Sequence, residues 1–163
     1  MKNGSDSIVR LATCSDIAAV ADLYHRVWHE THASSMPEAE RALRDELSFA
    51  ARITALMPNV AVSRAAETLQ GFAAWSGELL GQIFVDADYR GGTVAQELIE
   101  FAEHQMLVQG VTEGELHCMV GNTRARRFYE RSGWTLRGTI DEMVTGSSGS
   151  EARAFWLMRK ELS

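Results

Sequence analysis

The stretch VDADYRGGTVAQELIEFAE, residues 85–103, joins the end of an apolar segment to an amphipathic helical pattern through a turn that holds Arg90, Gly91 and Gly92. The first N–H groups of a helix have no partner within the helix, and the helix dipole adds partial positive charge at the same end. A strand, a glycine turn and a helix N-terminus in this order predict an anion-binding site, and Arg90 adds a full charge to it. The turn contains neither G-x-G-x-x-G nor the Gly-Lys-Ser/Thr ending of a P-loop. By itself, such a turn fits a helix cap without a ligand equally well.

The composition limits the classes of protein to which the chain can belong. Its 163 residues, 45% of them apolar, predict one globular domain over residues 1–163 with a core of its own. A formal net charge of −6 argues against non-specific nucleic-acid binding, which needs a basic face. Cys14 and Cys118 lie far apart in the sequence, so no metal site is predicted from them.

The sequence carries no signal for export or for membrane insertion. The N-terminal segment lacks the apolar region of a signal peptide, and no uncharged apolar run is long enough to cross a bilayer. We therefore expect a soluble cytoplasmic protein without a membrane partner.

Hydrophobic periodicity predicts both strands and helices along the chain. Apolar segments bounded by turn residues predict strands at 8–12, 60–66, 69–77, 79–85, 114–120, 134–140 and 152–162. Helical spacing predicts helices from the Thr13–Asp16 capping box to about Trp28, and at 37–56, 92–109 and 122–133. The segment 145–151 is predicted to be a flexible link between the last two strands. The element order predicts an α+β fold with a single mixed, mostly antiparallel sheet and helices on both faces.

The segment YRGGTVA is followed, after one predicted helix and one predicted strand, by NTRARRFYERSGW. Together the two segments resemble the paired motifs of the GNAT superfamily of N-acetyltransferases. In that family an arginine or glutamine followed by x-x-G-x-G/A holds the acyl-CoA pyrophosphate, and N-x-x-A-x-x-F-Y-x-x-x-G-F/W forms a second motif on the cofactor side. The second motif is complete in this chain, as Asn122, Ala125, Phe128, Tyr129, Gly133 and Trp134.

The first motif is present with one departure from the family. Arg90 and Ala95 match it, whereas Thr93 stands where the family usually has its central glycine. Either the Thr93 side chain crowds the phosphates, or its hydroxyl donates a replacement hydrogen bond. The resemblance covers essentially the whole chain and implies the GNAT fold.

The resemblance also implies direct transfer of an acetyl group from acetyl-CoA, the cosubstrate, to an amine. The residues that it implies for acetyl-CoA binding are Phe84, Val85, Arg90, Gly91, Gly92, Thr93, Val94, Ala95, Asn122 and Arg126. The main-chain N–H of Phe84 or Val85 is expected to hold the oxyanion. Arg126 is expected to contact a phosphate, unless it lies on a solvated helix face paired with Glu130.

Two residues are candidates for proton transfer. Tyr129 matches the family's tyrosine, and a phenol of pKa ~10 stays protonated at neutral pH and can donate to the leaving thiolate. The alternative for Tyr129 is an ordinary core tyrosine. Glu78 can accept a proton from the amine, and it shares a strand face with Gln82 if the pairing is regular. A simple turn carboxylate at Glu78, with a chain of water molecules as the base, stays open.

The acceptor side is set in this family by the first two helices and their loop. We expect Trp28, His29 and His32 to bind the acceptor. With His25, the two histidines follow the spacing i, i+4, i+7, which also fits a solvated polar face or a metal site. No carboxylate accompanies them in a known metalloprotease order, so a metal is not predicted.

These expectations describe an acetyl-CoA-dependent N-acetyltransferase whose acceptor is a primary amine, either a small molecule or a peptide amino group. The nearest alternative is a protein N-terminal or lysine acetyltransferase. A non-catalytic acyl-CoA-binding module is an alternative from another class. The sequence leaves the acceptor and the oligomeric state open, a homodimer included.

Overall fold

The computed structural model describes residues 7–32, 38–146 and 149–163. Its strands form one sheet in the order β1-β2-β3-β4-β5-β7-β6. The strands are β1 (Ile8–Leu11), β2 (Val60–Ala65), β3 (Thr68–Ser76), β4 (Leu79–Val85), β5 (Glu113–Met119), β6 (Thr135–Gly146) and β7 (Gly149–Glu161). β4 and β5 run parallel, and every other neighbouring pair is antiparallel. The mixed, mostly antiparallel sheet predicted from the sequence is confirmed.

Helices cover both faces of the sheet. They are α1 (Ile17–His32), α2 (Glu38–Ala42), α3 (Glu46–Leu56), α4 (Val94–Val108) and α5 (Thr123–Arg131). α1 and α3 pack on one face of the sheet, and α4 packs on the other. Strand alternation sorts the side chains, so that Val60 and Val62 face α1 whereas Ala61 between them faces α4. No helix within the described ranges is long and apolar enough to cross a membrane.

The start of α1 is fixed by a buried carboxylate. Asp16 accepts a hydrogen bond from the Thr13 N–H at 2.8 Å, as the predicted capping box requires. The same carboxylate pairs with Arg10 of β1 at 2.7 Å and with Arg64 of β2 at 3.0 Å. The Arg10 hydrogen bond, with help from Thr13 and Arg64, holds the pKa of Asp16 far below its usual value. One side chain thus joins α1 to two strands.

The helix predicted over 37–56 is wrong as a single helix. α2 ends at Ala42, and α3 begins after Asp45, whose side chain accepts the Ser48 N–H at 2.8 Å. Asp45 is extended (φ −86°, ψ 171°), as an N-cap residue is. A cap in the middle of the periodic pattern therefore divides it, and Pro37, the predicted first residue, lies outside the described ranges.

The flexible link predicted over 145–151 is also wrong. β6 continues to Gly146 and β7 begins at Gly149, and these two glycines pair in the ladder. Only 147–148 are outside the described residues at this point. Backbone pairing with a long partner strand thus overrides the turn composition of the segment.

The geometry of β4 opens the sheet at its centre. Trp75 pairs with Leu80 whereas Ala74 pairs with Gln82, so Gly81 is the extra residue of a β-bulge. Beyond the bulge the strands separate: the β4–β5 ladder consists of Leu79 with Glu115, supported by the Glu115 N–H bond to the Glu78 carbonyl at 2.8 Å. A gap between β4 and β5 follows, closed at the start of β4 and open at its end.

Candidate active site

The turn from β4 into α4 lies at the open end of the gap. Gly91 has φ +80°, a conformation that favours glycine, and a Cβ placed there would meet no atom within 4 Å. The glycine is therefore required by the backbone and leaves open space beside it. Thr93 caps α4 with φ −98°, which any residue adopts, so threonine fits the fold at the position where the sequence motif has glycine. Val94 is buried beneath it and anchors the first turn of α4.

Two side chains at this turn are held by internal contacts. Arg90 donates from Nε to the Val85 carbonyl at 3.2 Å, and its Nη2 lies 3.3 Å from Glu30 of α1. The Thr93 hydroxyl donates to Glu97 Oε1 at 3.1 Å. The predicted anion site thus has a cation tied to a neighbouring carboxylate and an acidic side chain in the first helical turn.

The main chain of β4 presents alternate residues to the gap. The Asp86 N–H donates to the Gln70 carbonyl of β3 at 2.8 Å, so the main-chain groups of Phe84, two residues earlier, are also directed to β3. Those of Val85 and Ile83 are directed to the opposite side, where β5 has moved away. The bond from Arg90 to the Val85 carbonyl agrees with this direction. Of the two predicted oxyanion donors, Val85 is therefore the one whose N–H is directed to the gap.

Tyr129 and Cys118 lie near each other in the core cluster beneath α4, and Cys118 belongs to β5 beside the gap. α5, which carries Tyr129, begins at Asn122, whose side chain accepts the Ala125 N–H at 3.3 Å. Burial, and secondarily the nearby Cys118, raises the pKa of Tyr129 well above its usual value. Burial raises the pKa of the Cys118 thiol to about 11, and Arg126 opposes that rise. Both side chains therefore keep their protons at neutral pH.

Arg126 is held over β7. Its Nε donates to Glu130 at 2.7 Å, and the guanidinium lies 4.7 Å from the centroid of the Trp156 ring. The pairing with Glu130 is the alternative that the sequence left open. A phosphate contact for Arg126 stays a prediction, and it would compete with the Glu130 contact.

The residues predicted for the acceptor are partly structural. Trp28 is 8% exposed and packs in the core, with the Arg44 guanidinium 5.4 Å from its ring centroid. His29 Nε2 lies 2.9 Å from the Arg44 carbonyl and so joins α1 to the segment before α3. The His25 ring lies 4.4 Å from that of His29 and 5.8 Å from that of Phe49 of α3. The side chain of His32 lies outside the described residues. Within the described ranges, no group of three or more His, Cys, Asp or Glu side chains could hold a metal ion.

Glu78 lies at the closed end of the gap. It is exposed in the turn before β4 and lines a cavity of about 710 Å³ together with Glu113 and Arg159. The expectation that Glu78 and Gln82 share a strand face depends on regular pairing, and the bulge at Gly81 breaks that regularity. Leu80 accordingly packs beneath α4 whereas Phe84, four residues later, packs beneath α1.

One ionisable residue beside the gap was missed by the sequence analysis. His117 of β5 has Nε2 at 3.0 Å from Glu115 Oε2, and its Nδ1 contacts Glu142 of β6. The alternation of Glu115 and His117 on one strand face could have suggested the first contact. The second joins residues that are distant in sequence, and it depends on a strand order that the sequence does not reveal.

Comparisons with known proteins find similar chains. A family model described as the acetyltransferase (GNAT) family matches residues 17–134, and no curated protein matches the sequence. Among solved structures, the chain is similar to a GCN5-related N-acetyltransferase from Rhodopseudomonas palustris, with a TM-score of 0.75 and 22% identity, covering 97% of this chain and 97% of that chain.

Two further solved structures carry the cosubstrate or its product. PaiA N-acetyltransferase from Thermoplasma acidophilum, in complex with coenzyme A, has a TM-score of 0.71 and 17% identity, covering 95% of this chain and 98% of that chain. YncA from Salmonella typhimurium, with acetyl-CoA, has a TM-score of 0.72 and 17% identity, covering 98% and 95%. At these identities the likeness concerns the fold.

Proposed function

The chain belongs to the GNAT acetyltransferase family, and from that premise we propose that it is an N-acetyltransferase that moves the acetyl group of acetyl-CoA to a primary amine. The observation that carries the proposal is the gap between β4 and β5. A glycine turn and the N-terminus of α4 lie at its open end, and the neutral phenol of Tyr129 packs against the core cluster beneath α4, near Cys118 of β5. The coenzyme A and acetyl-CoA in the structures of PaiA and YncA support the choice of cosubstrate.

The pyrophosphate of acetyl-CoA binds at the turn before α4 in this proposal. The unpaired N–H groups from Gly91 to Ala95 donate to it, and Arg90 supplies a full charge once it leaves Glu30. Asn122 and Arg126, at the start of α5, supply further phosphate contacts in the proposal, Arg126 by exchanging Glu130 for a phosphate. The pantetheine arm then enters the gap along β4, where the main-chain groups of Val85 lack a strand partner.

The acetyl transfer itself is direct. The amine attacks the thioester carbonyl, the Val85 N–H stabilises the oxyanion, and Tyr129 protonates the departing thiolate. An acyl-cysteine intermediate is disfavoured, because the pKa of the Cys118 thiol, raised to about 11, leaves little thiolate at neutral pH. Glu78 stays a candidate base, although its position at the closed end of the gap makes it a weak one.

One observation favours the second candidate, a non-catalytic acyl-CoA-binding module. The Thr93–Glu97 hydrogen bond places a carboxylate next to the phosphate site, which weakens the attraction for an anion. This effect concerns affinity, and it leaves Tyr129 and the gap intact. The choice between a small-molecule and a peptide amine is left to the acceptor panel below.

Two measurements test the proposal. A ligand that binds only the native state adds RT ln(1 + [L]/Kd) to the free energy of unfolding, ~2.7 kcal/mol at a hundredfold excess over Kd, so acetyl-CoA should raise the melting temperature. Arg90→Glu should reduce that rise, whereas Arg127→Glu, on an exposed part of α5, serves as a charge-matched control. Release of free CoA thiol is then followed across a panel of small amines and peptides.

Each outcome has a separate meaning. No melting shift with millimolar acetyl-CoA or CoA would contradict cosubstrate binding. A shift without thiol release for any amine or peptide would favour the non-catalytic module. Thiol release that depends on an amine supports the proposed transferase.

A further inference from the structure

His117 lies in the middle of β5, on the face of the sheet turned away from α4. Its neighbours Leu116 and Cys118 are buried beneath α4, and strand alternation turns His117 to the opposite face. Its side chain is 19% exposed. With Nε2 at 3.0 Å from Glu115 and Nδ1 in contact with Glu142, the ring bridges two carboxylates beside the gap.

The two carboxylates differ in how firmly they are held. Glu115 is 23% exposed and pairs with Arg159 of β7 at 3.3 Å, which fixes its position and offsets its charge. Glu142 is 38% exposed, and Arg153 lies opposite it in the β6–β7 ladder. Glu115 therefore orients the ring, and Glu142 is the carboxylate that solvent or a ligand reaches.

A buried acceptor lies on the same sheet face, across the gap. Gln82 Oε1 is buried and has no hydrogen-bond partner within the described ranges. Counting from the pair Leu79 and Glu115, with Gly81 as the extra residue of the bulge, brings Gln82 level with His117. A buried carbonyl oxygen without a donor is costly, so a ligand that donates to it would remove a penalty.

The side chains around His117 indicate the kind of molecule that could donate a hydrogen bond to Gln82. Leu157 pairs with His117 across the β5–β7 ladder, and Phe155 pairs with Met119, so apolar side chains of β7 adjoin the polar group on this face. A molecule that fits has a cationic donor at one end and an apolar body. An arylalkyl primary amine has this chemistry.

The hydrogen-bond acceptors of His117 and Glu142 indicate that the amine binds in its charged form. When the His117 Nε2–H donates to Glu115, Nδ1 is an acceptor, and it faces a second acceptor in Glu142. We propose that the ammonium group of the acceptor amine binds between Glu142, Gln82 and His117, and that His117, oriented by Glu115, takes a proton from it. The proposal rests on the proposed function, and it deepens that function by assigning the acceptor site and its base.

The proton balance of the transfer is complete with these groups. The ammonium ion passes one proton to His117 Nδ1, and the freed lone pair forms the C–N bond while the carbonyl π pair moves to oxygen. When the adduct collapses, the C–S bond breaks and sulfur takes the proton of Tyr129. The second N–H proton returns to the Tyr129 oxygen, and His117 releases the first to solvent. The products are the amide, the CoA thiol and one proton.

The test uses 2-phenylethylamine as the probe, with saturating acetyl-CoA. His117→Gln keeps a polar side chain and should lower kcat by the ~10²–10⁴ of a positioned base. Its rate should rise with pH toward the pKa of the amine, because only the free amine reacts in the variant, so the loss relative to wild type should be largest at neutral pH and smaller in alkali. Glu142→Gln should raise KM at least tenfold and change kcat less.

Controls separate this role from a structural one. Glu113→Gln removes a carboxylate of the same strand that also lies near Arg159, at 3.7 Å, and should leave kcat and KM unchanged. The melting shift with CoA should persist in His117→Gln, which shows that the variant is folded. Wild-type kcat and a wild-type pH profile in His117→Gln would overturn the proposal.

A second readout covers the case in which no amine is acetylated. That result would contradict the proposed transferase activity. The acceptor site is then tested by the binding of 2-phenylethylamine alone. The His117 ring resonances of the CoA complex should shift on addition of 2-phenylethylamine, and the shift should be lost in Glu142→Gln. Unshifted resonances in the wild-type complex would overturn the acceptor site as well.

Discussion

At the scale of single residues, the positions of protons decide which chemistry the gap can support. Burial raises the pKa of both Tyr129 and Cys118, so each holds its proton at neutral pH. The Cys118 thiol donates to the Asn122 carbonyl, with sulfur and oxygen 3.7 Å apart. We therefore propose Tyr129 as the proton donor for a leaving thiolate.

Removal of that hydroxyl should slow the reaction without weakening cosubstrate binding. Tyr129→Phe keeps the ring and its packing against Phe128, at 5.4 Å between centroids, so the CoA melting shift should persist. We expect kcat with acetyl-CoA to fall by ~10²–10⁴, as for other positioned acids. The loss should be smaller for an acetyl donor with a more acidic leaving group, which needs less protonation. Steady-state kinetics with both donors measures this difference.

A tyrosine in the other core provides the control. Tyr24→Phe removes the hydroxyl of a buried tyrosine on α1, which packs against Phe49 and Phe84, and should leave the donor preference unchanged. Equal slowing of both donors in Tyr129→Phe, with a higher KM, would point to a disturbed pocket. Wild-type turnover with acetyl-CoA would show that Tyr129 is structural.

The two thiols should differ sharply in reactivity. Cys14 is exposed and Cys118 is buried, with a pKa raised to about 11, so iodoacetamide should label one thiol in the native protein and two after unfolding. Mass spectrometry of the intact chain counts the labels, and Cys14→Ser should abolish the fast one. Rapid native labelling of Cys118 would contradict its assignment as an inert buried residue and reopen the acyl-cysteine route.

At the scale of elements, the turn before α4 combines attraction and repulsion for an anion. The helix N-terminus and Arg90 attract phosphate, but Arg90 is paired with Glu30, and Thr93 directs its hydroxyl to Glu97. Glu97 favours the helix itself, because a carboxylate in the first turn complements the dipole. The same charge competes with a bound pyrophosphate.

Glu97→Gln should therefore tighten CoA binding. Loss of one negative charge at a helix N-terminus is worth ~0.3–1 kcal/mol toward a second anion, which is a gain of roughly two- to fivefold in affinity. The gain should shrink with added salt, because salt screens exposed charges. Titration calorimetry at low and high salt measures it.

Glu100 offers the matched control for this prediction. It lies about one turn further along α4 and bonds to Gln96, so Glu100→Gln should leave CoA affinity unchanged. Equal gains in both variants would reduce the effect to net charge, and an unchanged Kd in Glu97→Gln would contradict competition at the turn.

Elements whose causes are local were predictable from the sequence. The Thr13–Asp16 cap and the Asn122 cap were read correctly, and the resemblance drawn from the two motifs is confirmed by the family match over residues 17–134. The features that were missed have distant causes. The bulge at Gly81 arises from pairing with β3, and the extension of β6 to Gly146 and of β7 from Gly149 arises from their mutual ladder.

The features of the candidate site also separate into those with local causes and those with distant causes. Turns and helix termini are determined by short stretches of sequence, so the glycine turn at the start of α4 and the position of Tyr129 on α5 could be predicted. The contact of His117 with Glu142 exists because β7 inserts between β5 and β6, and no local pattern encodes that order. The bulge likewise decides that Gln82 faces the same side as His117.

At the scale of the whole molecule, a buried ion cluster links one edge of the sheet to α1. Asp16 is buried with a 3% exposed side chain, and it receives Arg10 and Arg64 from neighbouring strands. Arg10 is 43% exposed, so solvent screens part of that pair, whereas Arg64 is 20% exposed. The cluster lies at the sheet edge furthest from the gap, so it contributes to the stability of the fold and should not affect the acetyl transfer.

Neutralising Asp16 should cost stability in a pH-dependent way. The pKa of Asp16 is lowered in the folded protein, so its contribution is present above the unfolded value of ~3.9 and is lost as pH falls below it. At neutral pH, Asp16→Asn should reduce the free energy of unfolding by ~2–4 kcal/mol, below the full cost of breaking a buried pair because Arg10 is partly exposed. The difference from wild type should narrow by ~1.4 kcal/mol for each pH unit below ~4.

Urea unfolding across this pH range measures the difference. The control is Asp22→Asn, which breaks a surface pair with Arg26, and its free energy of unfolding is expected within ~0.5 kcal/mol of wild type at every pH. A difference between Asp16→Asn and wild type that stays constant into acid would show that the cluster stabilises the fold by packing and not through the Asp16 charge.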